Sequence, residues 1–155
     1  MIHSNAAAVV EAARNAGLEI EVRSFPGGTR TAADAARAVG CEVGQIVKSL
    51  VFLVDASPVL ALVSGSNQLD EAKLATASAG TTVARADADE VRAATGFSIG
   101  GVPPLGHNLK VYVDRDLLRY SKVWAAAGTP RDVFGVDPAT LQLATAGVVA
   151  DLARN

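Results

Sequence analysis

The stretch Ile46-Val47-Lys48-Ser49-Leu50-Val51-Phe52-Leu53-Val54 decides the fold class of this chain. Its β-branched and aromatic side chains favour a strand, and its length suits a strand better than a helix. Residues 55–58 (Asp-Ala-Ser-Pro) are typical of a turn, and residues 59–63 form a second apolar run. Two apolar runs on either side of a short turn predict a β-hairpin, around which the rest of the chain is expected to fold.

Predicted helices and strands alternate irregularly around this hairpin. Helices are expected where a capping side chain precedes an apolar pattern. They are predicted from Ser4 to about Ala16, from Thr31 to Gly40, over residues 68–79 behind Asn67 and Asp70, from Asp87 to Gly96, and from Asp137 onward with Pro138 in the first turn. Strands are predicted over residues 19–24, 81–85, 109–113, 122–126 and 133–136, the last being the final strand. Because several strands follow one another directly, we expect a mixed α/β (α+β) fold with a curled, barrel-like mixed sheet surrounded by helices.

Length and composition limit the class of protein. A chain of 155 residues fits a single domain, expected over residues 1–155, and its 50% apolar content excludes intrinsic disorder. No apolar run nears the ~20 residues of a membrane span, and residues 1–5 lack the basic and apolar regions of a secretory leader. The single cysteine, Cys41, excludes an internal disulfide and is expected to be a small buried side chain. A cytoplasmic location is therefore expected.

Charge and motif content limit the ligands. The net charge is −2 and the basic residues are dispersed, which argues against extensive nucleic-acid binding and leaves only a small local contact open. No DNA and no membrane partner is expected. The chain contains neither a G-x-G-x-x-G nor a P-loop motif. Its two histidines, His3 and His107, do not form a convincing zinc site with Cys41, so neither a metal nor another cofactor is expected.

Lys48 is the first candidate functional residue, because lysine is uncommon inside strands and is rarely buried without a partner. Period-two alternation places it on the same strand face as Leu50 and Phe52. One interpretation is a surface lysine whose stem covers apolar side chains while its ammonium stays in water. The other is an ammonium at the mouth of a pocket, where it holds a carbonyl or phosphate oxygen.

The second candidate is the loop Gly100-Gly101-Val102-Pro103-Pro104-Leu105-Gly106-His107. Adjacent glycines let the backbone approach a ligand closely, and the prolines stiffen the loop. Since prolines lack an N–H, amide donors to an anion or a developing oxyanion would come from Gly100, Gly101, Val102, Leu105 and Gly106. The alternative is a stiff connection between a helix and a strand. For His107, packing at the end of the loop and contact with a substrate phosphate both stay open.

These segments together resemble the YbaK/ProX family of trans-editing aminoacyl-tRNA deacylases, which is related to the editing insertion domain of bacterial prolyl-tRNA synthetases. The resemblance rests on residues 45–50, residues 100–107, residues 126–129 and residues 137–141, and its order and spacing extend from about Thr31 onward. It implies a barrel-like sheet surrounded by helices and a metal-independent site. Pro103 stands where many members have serine, and Ser49 stands where alanine-specific members tend to have asparagine.

The resemblance also assigns roles to residues. Lys48 takes the position of the family's required lysine, and we expect it to anchor substrate and stabilise charge as the catalytic residue rather than act as a nucleophile. Substrate-binding roles for the aminoacyl ester and terminal adenosine fall on eight loop and pocket positions: Gly100, Gly101, Val102, Pro103, Pro104, Gly106, His107 and Gly128.

The expected function is therefore hydrolysis of the ester that links a mischarged small amino acid to the 3′ end of tRNA-Pro or a similar tRNA. The acceptor 3′ end of an aminoacyl-tRNA is the expected partner, together with a synthetase or elongation factor. One alternative is a non-catalytic binding module for an aminoacyl-adenosine-like or nucleotide ligand. Another is a plain protein-interaction domain, although no exposed apolar stripe is evident in the sequence.

Overall fold

The computed structural model describes residues 3–29 and 31–155. Met1 and Ile2, part of the segment expected to lack a leader, lie outside the described residues. The helices are α1 (Ser4–Asn15), α2 (Ala32–Val39), α3 (Glu71–Ser78), α4 (Ala88–Thr95) and α5 (Pro138–Thr145), with short 3-10 helices at Val43–Gln45 and Arg115–Arg119. The strands are β1 (Val22–Ser24), β2 (Val47–Val54), β3 (Ser57–Ser64), β4 (Val83–Arg85), β5 (Lys110–Asp114), β6 (Val123–Ala126), β7 (Asp132–Val136) and β8 (Val148–Ala150).

The strands form two sheets, and the mixed α/β class is confirmed. The larger sheet has the order β4-β2-β3-β5-β8, in which β3, β5 and β8 run parallel and the other pairs antiparallel. The smaller sheet is antiparallel and has the order β1-β7-β6. A single bridge between Ile46 and Trp124 joins the two sheets. Within the described residues the strands therefore form two joined open sheets rather than a closed barrel.

The predicted hairpin is confirmed as β2 and β3, with a tighter turn than the sequence indicated. Asp55 and Ala56 alone make the turn, both with positive φ (49° and 69°), while Ser57 and Pro58 already pair with β2. Positive φ at both central positions is typical of a two-residue hairpin turn, whose twist matches that of the strands. The Asp55 carboxylate accepts hydrogen bonds from the backbone N–H groups of Thr81 and Thr82, which fixes the turn against the start of β4.

Most predicted helix caps are confirmed, and two are wrong. Thr31, Asp87 and Asp137 each accept a hydrogen bond from a first-turn backbone N–H. Ser4 is instead the first helical residue, because the His3 ring accepts from the Asn5 N–H. Asp70 alone caps α3. Asn67 directs its amide to two carboxylates elsewhere, a role that local sequence does not indicate.

Apolar clusters cover both faces of the larger sheet. On β3, Leu60 and Leu62 pack into one cluster, while Ala61 and Val63 pack into another. This explains why β3 is a continuous apolar run rather than an alternating one. A third cluster packs α2 against Trp124 of the smaller sheet. In the described residues, no helix is long and apolar enough to cross a membrane.

Two elements differ from expectation in length or number. The predicted strand over residues 19–24 is ordered as a strand only at Val22–Ser24, where it pairs with β7. The strand over residues 133–136 is not the final one, because β8 follows α5 and pairs with β5. Val148 and Val149 of β8 are partly exposed at the sheet edge, so no alternating pattern marks this strand in the sequence.

Candidate functional site

A cavity of about 320 Å³ lies beside the junction of the two sheets. Beyond the bridge between Ile46 and Trp124, β2 and β6 are not paired. Among the described residues, no strand pairs with this edge of β2 until β4 joins at Phe52. The gap is closed by α2 on one side and by residues 99–102 on another. A volume at the lower end of the range for ligand pockets suits a small ligand group.

Lys48 forms part of the cavity wall and is half-buried. Across the hairpin it pairs with Val63, and its ammonium donates a hydrogen bond to the backbone carbonyl of Asn67. Burial and the nearby Arg85 guanidinium lower the pKa of Lys48, and the Asp114 carboxylate partly opposes them. The ammonium is thus neither freely solvated nor paired directly with a carboxylate, in contrast to an ordinary surface lysine.

The electrostatic character of the cavity is cationic. Lys48 and Arg85 are the charged side chains among its described lining residues, and no aspartate or glutamate is among them. Most of the rest of the wall is apolar, contributed by α2, β2 and β6, with Trp124 at the junction. Such a wall favours an electron-rich oxygen near the cations and a small apolar group beside them. It offers no carboxylate to act as a general base.

The glycine-rich loop reaches the cavity at its first residues. Gly100 and Val102 line the wall, and Gly100 has a φ of +88° that favours glycine. The Gly101 amide donates to the Ser98 carbonyl at 2.9 Å, so it is occupied. The amides of Gly100 and Val102 have no acceptor within the described part of the chain. Of the five predicted amide donors, these two are therefore next to the cavity and unoccupied.

The rest of the loop packs into the protein. Pro103 and Pro104 are fully buried and do not line the cavity, and Gly106 lies beside Ala12 of α1. His107 Nε2 lies 3.0 Å from the Pro103 carbonyl oxygen, and its Nδ1 accepts from the Leu109 N–H at 3.4 Å. These contacts fit a neutral ring with its proton on Nε2. Burial lowers the pKa of His107 despite the bond to Pro103. The structure therefore favours loop packing for His107.

Gly128 also lies outside the cavity wall. Its φ is +96°, and a Cβ there would lie 2.9 Å from the Asn5 carbonyl oxygen. The Asn5 side chain in turn donates to the Gly128 carbonyl at 3.2 Å. Gly128 therefore joins α1 to the segment that directly follows β6, and β6 itself lines the cavity through Ala125 and Ala126. Its contact with substrate stays a prediction.

Several wall residues were not singled out by sequence analysis. Thr29 and Arg85 carry no local motif, Thr31 was recognised only as a helix cap, and Trp124 is one aromatic residue in an ordinary strand. Ser49 also lines the cavity, and its hydroxyl is buried without a hydrogen-bond partner in the described residues. A buried unpartnered hydroxyl is uncommon in proteins, but it becomes visible only when the side chains are placed.

Residues 96–100 have the spacing G-x-S-x-G, which sequence analysis did not single out. In serine hydrolases this spacing lies between a strand and a helix, and the serine is bonded to a base. Here it follows helix α4, and the Ser98 hydroxyl accepts a hydrogen bond from the Arg92 guanidinium. The geometry does not support a serine nucleophile at this position.

The sequence and the fold match those of a known protein family. Residues 27–143 match the aminoacyl-tRNA editing domain family, and the chain belongs to that family. A solved structure described as a proposed trans-editing enzyme for prolyl-tRNA synthetase is 47% identical, with a TM-score of 0.94 over 100% of both chains. The similarity to that structure therefore covers the whole chain, in sequence and in fold.

Two curated relatives are similar in sequence. One is a proposed Cys-tRNA(Pro)/Cys-tRNA(Cys) deacylase of Enterococcus faecalis, 30% identical over 79% of this chain and 76% of the relative. The other is the proline–tRNA ligase of Maridesulfovibrio salexigens, 31% identical over 68% of this chain. The match spans only 18% of that ligase, so the similarity concerns one part of the longer enzyme.

Proposed function

We propose that this protein is an aminoacyl-tRNA deacylase that acts in trans, hydrolysing the ester between a mischarged small amino acid and the 3′ end of tRNA. The observation that carries the proposal is the cavity itself, whose wall includes Lys48 together with Gly100 and Val102, two residues whose amides have no acceptor in the described part of the chain. Membership of the aminoacyl-tRNA editing domain family supports the reaction class.

The reaction adds water across an ester bond. Water attacks the carbonyl carbon, the bond to the ribose oxygen breaks, and the proton from water reaches that oxygen. The products are the free amino acid and tRNA with a 3′-terminal hydroxyl. Amide donors aimed at the developing oxyanion stabilise it, and a fixed ester geometry lowers the entropy cost of attack. Gly100 and Val102 are the proposed donors, and Lys48 anchors the substrate and stabilises charge.

Activation of water is assigned to the substrate. The described cavity wall contains no carboxylate or histidine that could take the proton. The neighbouring ribose hydroxyl of the terminal nucleotide is the proposed group that orients water, which requires no metal ion in this scheme. A 2′-deoxy substrate is therefore expected to react much more slowly than the ribose form.

The size of the cavity supports a small aminoacyl group. Synthetase pockets separate side chains that differ by one methylene by only about 1–3 kcal/mol, so small wrong amino acids are attached and need a second site for removal. A cavity of about 320 Å³ can exclude larger side chains while it admits smaller ones. We propose tRNA-Pro as the preferred tRNA, because one relative is named for Cys-tRNA(Pro) and Cys-tRNA(Cys), and a similar solved structure is named for prolyl-tRNA synthetase.

The partner is the acceptor end of an aminoacyl-tRNA. Because the net charge is −2, few phosphates are expected to be neutralised, and affinity for free tRNA should be weak and only moderately salt-dependent. A synthetase or an elongation factor that presents the acceptor end would compensate for this weak binding. The proposed location is the cytoplasm, where such partners act.

The decisive experiment is deacylation of tRNA-Pro charged with alanine, serine, threonine or cysteine by the wild type and by Lys48→Ala. We expect the wild type to hydrolyse at least one of these esters and Lys48→Ala to lose more than ~10²-fold in rate. Lys73→Ala is the matched control, because Lys73 is also partly buried and bonded to a backbone carbonyl but lies on α3, outside the cavity wall. Full activity of Lys48→Ala would overturn the assignment.

The alternative is a module that binds an aminoacyl-adenosine-like or nucleotide ligand without turnover. The cationic cavity suits such a ligand equally well. Binding of a non-hydrolysable aminoacyl-adenosine analogue, together with no hydrolysis of any ester in the panel, would favour this alternative over the deacylase.

A further inference from the structure

Asp114 is a buried carboxylate that the proposed chemistry does not use. It is 0% exposed, at the end of β5. One oxygen accepts from the Ser64 N–H at 3.0 Å and from the Asn67 amide at 2.9 Å, and the other accepts from the Asp116 N–H at 2.9 Å. Three donors to one carboxylate satisfy a group that would otherwise be costly to bury.

Asn67 connects this carboxylate to the cavity. Its side-chain amide also donates to Asp116 Oδ2 at 2.8 Å, so both of its contacts are to carboxylates. Its backbone carbonyl accepts the hydrogen bond from the Lys48 ammonium. The carbonyl that holds the ammonium therefore belongs to a residue whose own position is fixed by two acidic side chains.

A lysine ammonium on a four-carbon stem is mobile unless something fixes it. Lys48 donates one hydrogen bond in the described part of the chain, which leaves two of its three N–H groups for a ligand. A fixed carbonyl restricts the ammonium to one position and leaves its charge unneutralised. A direct carboxylate partner would neutralise that charge. The Asp114 carboxylate does not bond Lys48 directly but binds the Asn67 side chain, and its negative charge favours the charged form of Lys48.

We propose that Asn67 and Asp114 are positioning residues, which hold the Lys48 ammonium in place for the substrate through the Asn67 carbonyl. This inference rests on the proposed function for its catalytic consequence, but the position and charge of the ammonium can be measured without any activity. The charged groups around Lys48 are Arg85 on β4, Asp114 on β5 and, through Asn67, Asp116 on the following 3-10 helix.

The catalytic test compares Asn67→Ala and Asp114→Asn with the wild type on the ester that the wild type hydrolyses best. We expect kcat to fall by about tenfold with KM changed less than about threefold, because the stabilisation of developing charge depends more strongly on the position of the ammonium than the anchoring of the substrate does. In Asp114→Asn the alkaline loss of activity is expected at lower pH. A variant that is merely less folded would lose activity evenly across pH, and that result would overturn the proposal.

The independent test measures the reaction of the Lys48 amine with acetic anhydride across pH, read by peptide mass spectrometry. Only the neutral amine reacts, and the Asp114 charge favours the charged form, so loss of that charge is expected to raise labelling at fixed pH by about threefold. Asp132→Asn is the matched control, since Asp132 is also buried and doubly hydrogen-bonded but contacts Ser24 and Thr129 instead. Asn67→Ala provides the same readout if Asp114→Asn does not fold.

The outcomes separate the two proposals. Unchanged labelling of Lys48 in both variants overturns the positioning role, whether or not the protein is a deacylase. Altered labelling in a protein that hydrolyses no ester supports the positioning role and overturns the proposed function. A third outcome is that Lys48→Ala loses activity while Asn67→Ala and Asp114→Asn keep normal activity and labelling. That outcome would support the deacylase function and overturn the positioning role.

Discussion

Gly101 lies in direct backbone contact with Thr129: a Cβ added to Gly101 would stand 2.8 Å from the Thr129 Cα. Thr129 is itself fixed, because its hydroxyl donates to the buried Asp132 carboxylate at 2.6 Å. The loop that borders the cavity is thus pressed against a rigid turn after β6. The second glycine of the pair is required by this close approach, whereas Gly100 is favoured by its positive φ.

Gly101→Ala is expected to be destabilising, because neither backbone can move away easily. Overpacking of this kind costs about 1–3 kcal/mol in the free energy of unfolding, and displacement of Val102 from the cavity wall should lower deacylation as well. Urea denaturation and deacylation rates measure the two effects. Gly27→Ala is the control, because nothing lies within 4 Å of its added Cβ and its φ is not positive. Equal stability of both variants would contradict the contact.

Ser49→Ala is expected to leave the free energy of unfolding unchanged or to increase it. The Ser49 hydroxyl is buried without a partner, and such a group costs about 1–3 kcal/mol that removal recovers in part. Ser64→Ala is the matched comparison, because the Ser64 hydroxyl is buried and donates to the Gly44 carbonyl at 2.7 Å. That variant should be destabilised by about 1 kcal/mol. If thermal unfolding shows that Ser49→Ala is the less stable of the two variants, the Ser49 hydroxyl has a hydrogen-bond partner in solution.

His107 is expected to make stability depend on pH. Its folded pKa lies below the ordinary value of about 6.5, so on acidification the unfolded chain takes up a proton first. Stability is therefore fully present above the ordinary pKa and is lost as the pH falls toward the lower folded pKa. His107→Gln lacks this proton, so its melting temperature should fall less between pH 7 and pH 5. Parallel curves for the two proteins would show that the ring does not titrate in this way.

Deacylation is expected to decline at alkaline pH as Lys48 loses its proton. Because burial and Arg85 lower the pKa of Lys48, the decline should begin below the ordinary lysine pKa of about 10.4. Arg85→Gln should shift the decline to higher pH, since the like charge is removed. Rates are measured after subtraction of spontaneous ester hydrolysis. If the decline stays at the same pH in Arg85→Gln, deprotonation of Lys48 is not its cause.

The local parts of this fold could be predicted from sequence, because their determinants lie within a few residues. The hairpin follows from two apolar runs, and the capping side chains of Thr31, Asp87 and Asp137 act over three residues. The parallel pairing of β3 with β5 could not be predicted in the same way, since it joins residues about fifty positions apart. The edge strand β8 has no alternating pattern to reveal it.

The candidate site divides in the same way. Lys48, Gly100 and Val102 were predicted from residue types that are unusual in their context, and the structure places all three at one cavity. Pro103, Pro104, Gly106, His107 and Gly128 were grouped with them by position in the sequence, but they are not among the residues that line the cavity, and their contact with substrate stays a prediction. Asn67 was interpreted as a helix cap because asparagine is favoured at that position. Its side-chain amide instead donates to Asp114, which lies too far along the sequence for a local pattern to reveal the contact.

The cavity sits on a seam between two sheets that share one bridge, Ile46 with Trp124. Its sides come from α2 near the start of the chain, from the central hairpin, and from β6 and β7 near the end. No fragment of the chain can therefore carry the pocket alone. One apolar cluster contains Val51 of the larger sheet together with Ala125 and Phe134 of the smaller one, so the sheets cannot separate without opening this core. The width of the cavity, and with it the size selection, should therefore persist until the protein unfolds.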